Sequence, residues 1–139
     1  MEQQNKKINA LLNIPYSSKE EFYEWWVTFL KPIHKMSSVP CKVFAIILAE
    51  REKYAKTNDS NNVDTILFSP EAQDIICEKL NIDKIKFWCH LSVLRKYGVI
   101  NKNKVNPKFI PEITDDNMFR LMLKFYKKND SKFKWYSKS

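Results

Sequence analysis

One glycine occurs in the whole chain, at position 98, between a helical pattern over residues 84–97 and the apolar pair Val99-Ile100. Phosphate-cradling loops, whether P-loop or dinucleotide fingerprint, need several glycines at fixed spacing. A chain with a single glycine is therefore none of these nucleotide-binding enzymes. Glycine also enters the left-handed backbone region at no steric cost. Its place just after a helix predicts a C-terminal stop and a sharp reversal there.

The remaining 138 residues supply one core and no second one, so residues 1–139 are read as a single domain. Residues 1–17 form a polar arm. A helix is predicted over 18–31, capped by Ser17 or Ser18 with Glu20 or Glu21 as the reciprocal partner. Phe22, Trp25, Trp26, Phe29 and Leu30 mark one broad face of it, and Pro32 is expected to end it. A second helix runs from Pro40 to Lys56, with Ser38 as cap and Val43, Ile46, Ile47 and Tyr54 as its buried stripe. Residues 57–64 read as a loop, and Thr65-Ile66-Leu67-Phe68 as a short strand. Ser69 then caps a third helix that opens on Pro70 and stops at Asn81. Asp83 caps a fourth, Lys84 to Tyr97. Beyond Gly98, Val99-Ile100, the turn 101–104 and a second strand from Val105 to Ile110 spell a hairpin, with Pro107 limiting that strand to an edge. Asp115 or Asp116 caps a last helix over 115–128, followed by a basic aromatic tail, 129–139.

From residue 38 to 111 the order is helix, short strand, helix, turn, helix, two-stranded wing. This order, with LSVLRKYGVI at the helix-to-wing junction, resembles the winged helix-turn-helix family. The resemblance implies a mainly α, α+β fold: a winged-helix core with an extra N-terminal helix and a C-terminal helix plus tail. The asparagine–lysine–isoleucine bias and the ending NPKFIP look like small DNA-binding proteins of bacteriophages and plasmids.

Charge distribution points the same way. Residues 1–83 carry ten Lys/Arg against twelve Asp/Glu, whereas residues 84–111 carry Lys84, Lys86, Arg95, Lys96, Lys102, Lys104 and Lys108 with no acid. Such asymmetry favours a polyanion. Lys84 and Lys86 stand at a helix N-terminus, where main-chain N–H groups already favour phosphate. Lys102, Lys104 and Lys108 stand on or beside the wing. In the tail, Lys132, Lys134 and Trp135 combine cations with an aromatic ring, as in segments that hold single-stranded nucleic acid or a partner. The face of the 84–97 helix opposite Phe87, Leu91 and Leu94 presents Ile85, Cys89, Ser92 and Lys96, with Trp88 and Arg95 at one flank. Ile85, Cys89 and Trp88 lack the donor and acceptor groups that read base edges. With the adjacent Trp25 and Trp26, Ile85 and Trp88 are instead candidate protein-contact residues.

Catalysis finds no foothold. His34 and His90 sit in no nucleophile or metal spacing, and His90 points about 100° away from its neighbour Cys89. Cys41, Cys77 and Cys89 are odd in number and lack CxxC spacing, so they read as reduced, core-type thiols. No cofactor or metal is expected. The longest apolar run, Val43 to Ala49, has seven residues, too few for a membrane span, and no secretory signal is legible. The sequence thus predicts a non-enzymatic, cytoplasmic protein (host cytoplasm or virion if phage-encoded) that binds double-stranded DNA. Replication initiation, genome packaging and transcription control all fit, with action as a homo-oligomer. The alternative is a winged helix turned to protein–protein assembly in a virion or replication complex.

Overall fold

A computed structural model describes residues 13–112 and 124–128. Within them lie α1 (Lys19–Phe29), α2 (Lys31–His34), α3 (Ser38–Ala55), α4 (Ser60–Leu67), α5 (Pro70–Leu80) and α6 (Lys84–Lys96). A hairpin follows, β1 (Ile100–Asn101) and β2 (Lys104–Val105), and then a 3-10 turn, Pro107–Phe109. The fold is mainly α, as the sequence implies. No helix of the described residues is long and apolar enough to cross a membrane.

The core is built around α3. Its run of consecutive apolar residues leaves little polar surface on any side, and such a helix is stable only when surrounded. Val43, Phe44, Ala45, Ile47, Leu48 and Ala49 are all buried, with α1, α4, α5 and α6 packed around them. The predicted stripe was too narrow, and two of its members, Ile46 and Tyr54, lie at the margin of the core. The helix begins at Ser38, not Pro40, with Ser37 in the cap position and no side-chain cap bond.

Helix α1 is capped by Ser18, whose Oγ accepts from the Glu21 N–H at 3.2 Å. The Glu21 carboxylate reaches back to the Ser17 N–H at 2.9 Å and its hydroxyl at 2.8 Å, a capping box displaced by one residue. Phe22, Tyr23, Trp26 and Val27 are buried. The docked face is therefore rotated from the predicted one, and Trp25 is left 41% exposed. Tyr23 causes the rotation: its ring packs inward while its hydroxyl donates to Glu52 at 2.7 Å. Pro32 does not end α1. It opens the one-turn α2, where a proline lacks no needed hydrogen bond.

Two predictions fail between residues 57 and 68. Residues 57–59 are non-helical as expected, but the rest of the expected loop and the strand are helix α4, which buries Val63 and Leu67 four residues apart against α3. A short apolar run has no periodicity of its own to distinguish strand from helix. Asp64 fixes the choice by pairing with Arg51 of α3 at 3.2 Å.

Helices α5 and α6 follow their sequence signals. Ser69 Oγ accepts from the Ala72 N–H, and Asp83 Oδ1 from the Lys86 N–H at 2.8 Å. Asn81 ends α5 in the left-handed conformation, and Gly98 takes φ +82° after α6. The hairpin pairs Ile100 with Val105 and Asn101 with Lys104, with Lys102 at φ 57° in the turn. The second strand is two residues long and does not continue to Ile110. Pro107 supplies no ladder donor, and Asn106 caps the 3-10 turn by accepting from the Lys108 N–H at 3.1 Å.

The predicted C-terminal helix over 115–128 does not extend through 124–128, which form coil and a turn. Phe125 is almost fully exposed. A short helix forms when an apolar face is buried, and this ring offers none there. The rest of that helix and the tail residues Lys132, Lys134 and Trp135 lie outside the described residues.

Candidate nucleic-acid interface

The sequence-predicted cations are carried by α6 and the hairpin, so their placement depends on how firmly those two elements are joined. The junction is closely tied. Phe87, Leu91 and Leu94 bury one side of α6, and Val99, Ile100 and Val105 bury the root of the hairpin in the same core. Arg95 reaches from the last turn of α6 to the tip of the wing, donating from Nε to the Lys102 carbonyl at 2.8 Å and from Nη2 to Asn103 Oδ1 at 3.0 Å. Asn106 closes the base, donating from Nδ2 to the Gly98 carbonyl at 2.9 Å. Behind the wing, Asp64 Oδ1 accepts from the Val105 N–H at 3.3 Å while also pairing with Arg51. A carboxylate side chain of α4 thus engages a backbone donor of β2.

These bonds divide the predicted cations into two groups. Arg95 is a strut of the wing, and its planar fork suits that use. Lys84 pairs with Asp74 of α5 at 3.2 Å on the surface. Lys86, Lys96, Lys102, Lys104 and Lys108 are exposed and have no acidic partner among the described residues. They stand at both ends of α6, a helix about 20 Å long, along the hairpin and, for Lys108, in the 3-10 turn after it.

Between the two groups of lysines runs the outward stripe of α6. Ile85 is 69% and Trp88 52% exposed, and Cys89 and Ser92 are exposed beside them. Helix α1 packs on α3 and leaves the stripe open. Cys89 is consequently no core thiol, in contrast to the sequence reading. Cys77 is buried and Cys41 partly so, and burial pushes both of these thiols up. The Trp88 indole is held in place: Nε1–H donates to Gln73 Oε1 at 3.1 Å, and Gln73 Nε2 donates to the Phe68 carbonyl at 3.0 Å. The two bonds fix the orientation of the Gln73 amide and, through it, the ring. No signal in the sequence marked Gln73.

The two tryptophans of α1 part company. Trp26 is a core residue whose Nε1–H donates to the Phe109 carbonyl at 2.8 Å, so it is not available as an interface residue. Trp25 lies at a shallow recess with Glu21, Glu24 and Thr28, whose carboxylates repel an anionic ligand. Among the described residues no group of three His, Cys, Asp or Glu side chains converges on a metal-sized site. Comparison with protein-family models, with curated proteins and with solved structures finds no match.

Proposed function

We propose that the chain is a winged helix-turn-helix protein that binds double-stranded DNA chiefly through the phosphate backbone. The observation that carries this reading is the set of exposed lysines, Lys86, Lys96, Lys102, Lys104 and Lys108, unpaired among the described residues on α6, the hairpin and the turn that follows it. An α-helix fits the major groove, and a hairpin beside it reaches the flanking backbone or minor groove. The strut from Arg95 supports the reading, because a wing tip held against the helix presents its lysines at a fixed distance from Lys96. One module contacts few phosphates, so tight binding calls for a dimer or ring on neighbouring sites. Replication initiation, packaging and transcription control of a phage or plasmid are the roles such binding serves.

Binding to a generic labelled duplex across a salt series tests this. The logarithm of the affinity falls with that of salt by about 0.9 for each phosphate neutralised. Lys102→Glu with Lys104→Glu weakens binding at every sequence and flattens the salt slope by about 2. Absence of binding at about 50 mM salt, where backbone contacts are strong, overturns the proposal. The half-exposed Trp88 and the exposed Ile85 then favour a protein-assembly role.

A further inference from the structure

The stripe Ile85, Trp88, Cys89 and Ser92 is the part of α6 that faces out, and its chemistry is unusual for a groove-facing helix. It offers no guanidinium, and besides the Ser92 hydroxyl its one strong hydrogen-bonding side chain is Lys96, at its C-terminal end. Along Ile85, Trp88, Cys89 and Ser92 no side chain offers the bidentate match to guanine or adenine edges that Arg, Asn or Gln gives. The Trp88 indole has a single donor, and Gln73 already accepts it, so the ring shows the outside only carbon. The Gln73 amide cannot turn away without giving up its bond to the Phe68 carbonyl.

The surroundings define what fits this surface. Lys84 and Lys86 lie at one end of the stripe, and Lys96 and the wing lysines at the other. Two carboxylates beside the start of α6 are engaged: Asp83 caps the helix, and Asp74 pairs with Lys84. The complementary ligand has apolar groups along its centre and anions along both edges. In duplex DNA the floor of the major groove carries one apolar group, the C5-methyl of thymine, and phosphates wall it on both sides.

We infer that α6 discriminates sequence by apolar contact of Ile85 and Trp88 with thymine methyl groups, so that the preferred duplex is thymine-rich. This rests on the DNA-binding reading above and adds the base that the helix recognises. Backbone lysines set the affinity, and methyl contacts set the preference.

The test compares binding of the full chain to a thymine-rich duplex and to the same duplex with deoxyuridine at every thymine position. That change removes the methyl groups and leaves the phosphates in place. Each engaged methyl is worth about four-fold in affinity, so a loss of about four- to sixteen-fold is expected, with the salt slope unchanged. Ile85→Ser with Trp88→Ala, both at exposed positions, brings the two affinities together while far-UV circular dichroism stays as in the parent. Equal affinity of the parent chain for both duplexes, with salt-dependent binding intact, overturns the methyl contact and leaves the backbone reading standing. No binding to either duplex overturns both. A double variant that keeps the thymine preference overturns the assignment to these residues. One that loses self-association in sedimentation without changing the preference shows that a second copy covers the stripe, and also overturns it.

Discussion

His34 shows how a residue with no functional spacing still has a defined job. Its ring is 5% exposed, and its two nitrogens play opposite parts. Nδ1 accepts from the Met36 N–H at 2.9 Å, so Nε2 carries the proton that it donates to the Val27 carbonyl at 2.8 Å. The neutral ring closes α2 onto α1. Burial first, and the Lys31 charge in addition, hold its pKa below the ordinary 6.5. A group whose folded pKa is depressed in this way contributes stability in full above pH 6.5 and loses it as pH falls through the folded value. The urea midpoint of the parent chain therefore drops between pH 7 and 5, with a limiting slope of about 1.4 kcal/mol per pH unit. His34→Gln is flat across that window. A flat parent would show that the ring is not held neutral. Glu50, 2% exposed, titrates elsewhere. Burial alone would raise its pKa, but the Tyr54 hydroxyl at 2.6 Å and the Lys53 and Lys79 ammoniums outweigh burial and hold it below the ordinary value of 4.5. Its contribution is lost only in stronger acid, so the two transitions separate. Burial and the same hydrogen bond push Tyr54 up to about 12.

At the scale of elements, local signals with a stereochemical cause were legible and purely compositional ones were not. Ser18, Ser69 and Asp83 cap the helices that the sequence assigned to them, because a side-chain oxygen meets free N–H groups wherever a helix begins. The polar stretch 60–64 resembled a loop and is helical, because Val63, Asp64 and Leu67 each find a partner on α3 or the hairpin. Gly98 gives the sharpest check on the α6-to-wing reversal. A Cβ there meets nothing within 4 Å, so the whole cost of Gly98→Ala is that of holding alanine at φ +82°. We expect a loss of about 1–2 kcal/mol in chemical denaturation. Gly98→Asn loses less, since asparagine tolerates the left-handed region. Equal stability of the parent and the alanine variant would mean that the reversal relaxes to another backbone conformation.

For the whole molecule, the long-range bonds matter most. The Trp26 to Phe109 bond joins residues 83 apart and holds the 3-10 turn after the wing against α1. The Phe109 ring also stands edge-on to Phe44 of α3, with centroids 6.3 Å apart. Helix α1 is therefore part of the core that carries the hairpin, not an appendage. Trp26→Phe keeps most of the apolar volume and leaves a buried carbonyl without this donor. It is expected to cost about 1–3 kcal/mol, read as a lower urea midpoint with an unchanged m value. The charge asymmetry reappears on this scale too. Lys79 of α5 bridges Glu20 of α1 at 2.7 Å and Glu50 of α3 at 3.3 Å, whereas the lysines of α6 and the hairpin mostly lack such partners among the described residues.

By itself, the sequence determined the mainly helical character, three of the caps, the reversal at Gly98 and the placement of cations on α6 and the wing. Each depends on a residue and its near neighbours, or on a count along the chain. Only the tertiary structure decided that residues 60–67 are helical, that Trp26 is buried while Trp25 is open, that Arg95 braces the wing, and that Gln73 fixes Trp88. Those outcomes depend on partners between 5 and 83 residues away. Two adjacent tryptophans are chemically alike until packing gives one of them a carbonyl to bond and leaves the other open to water.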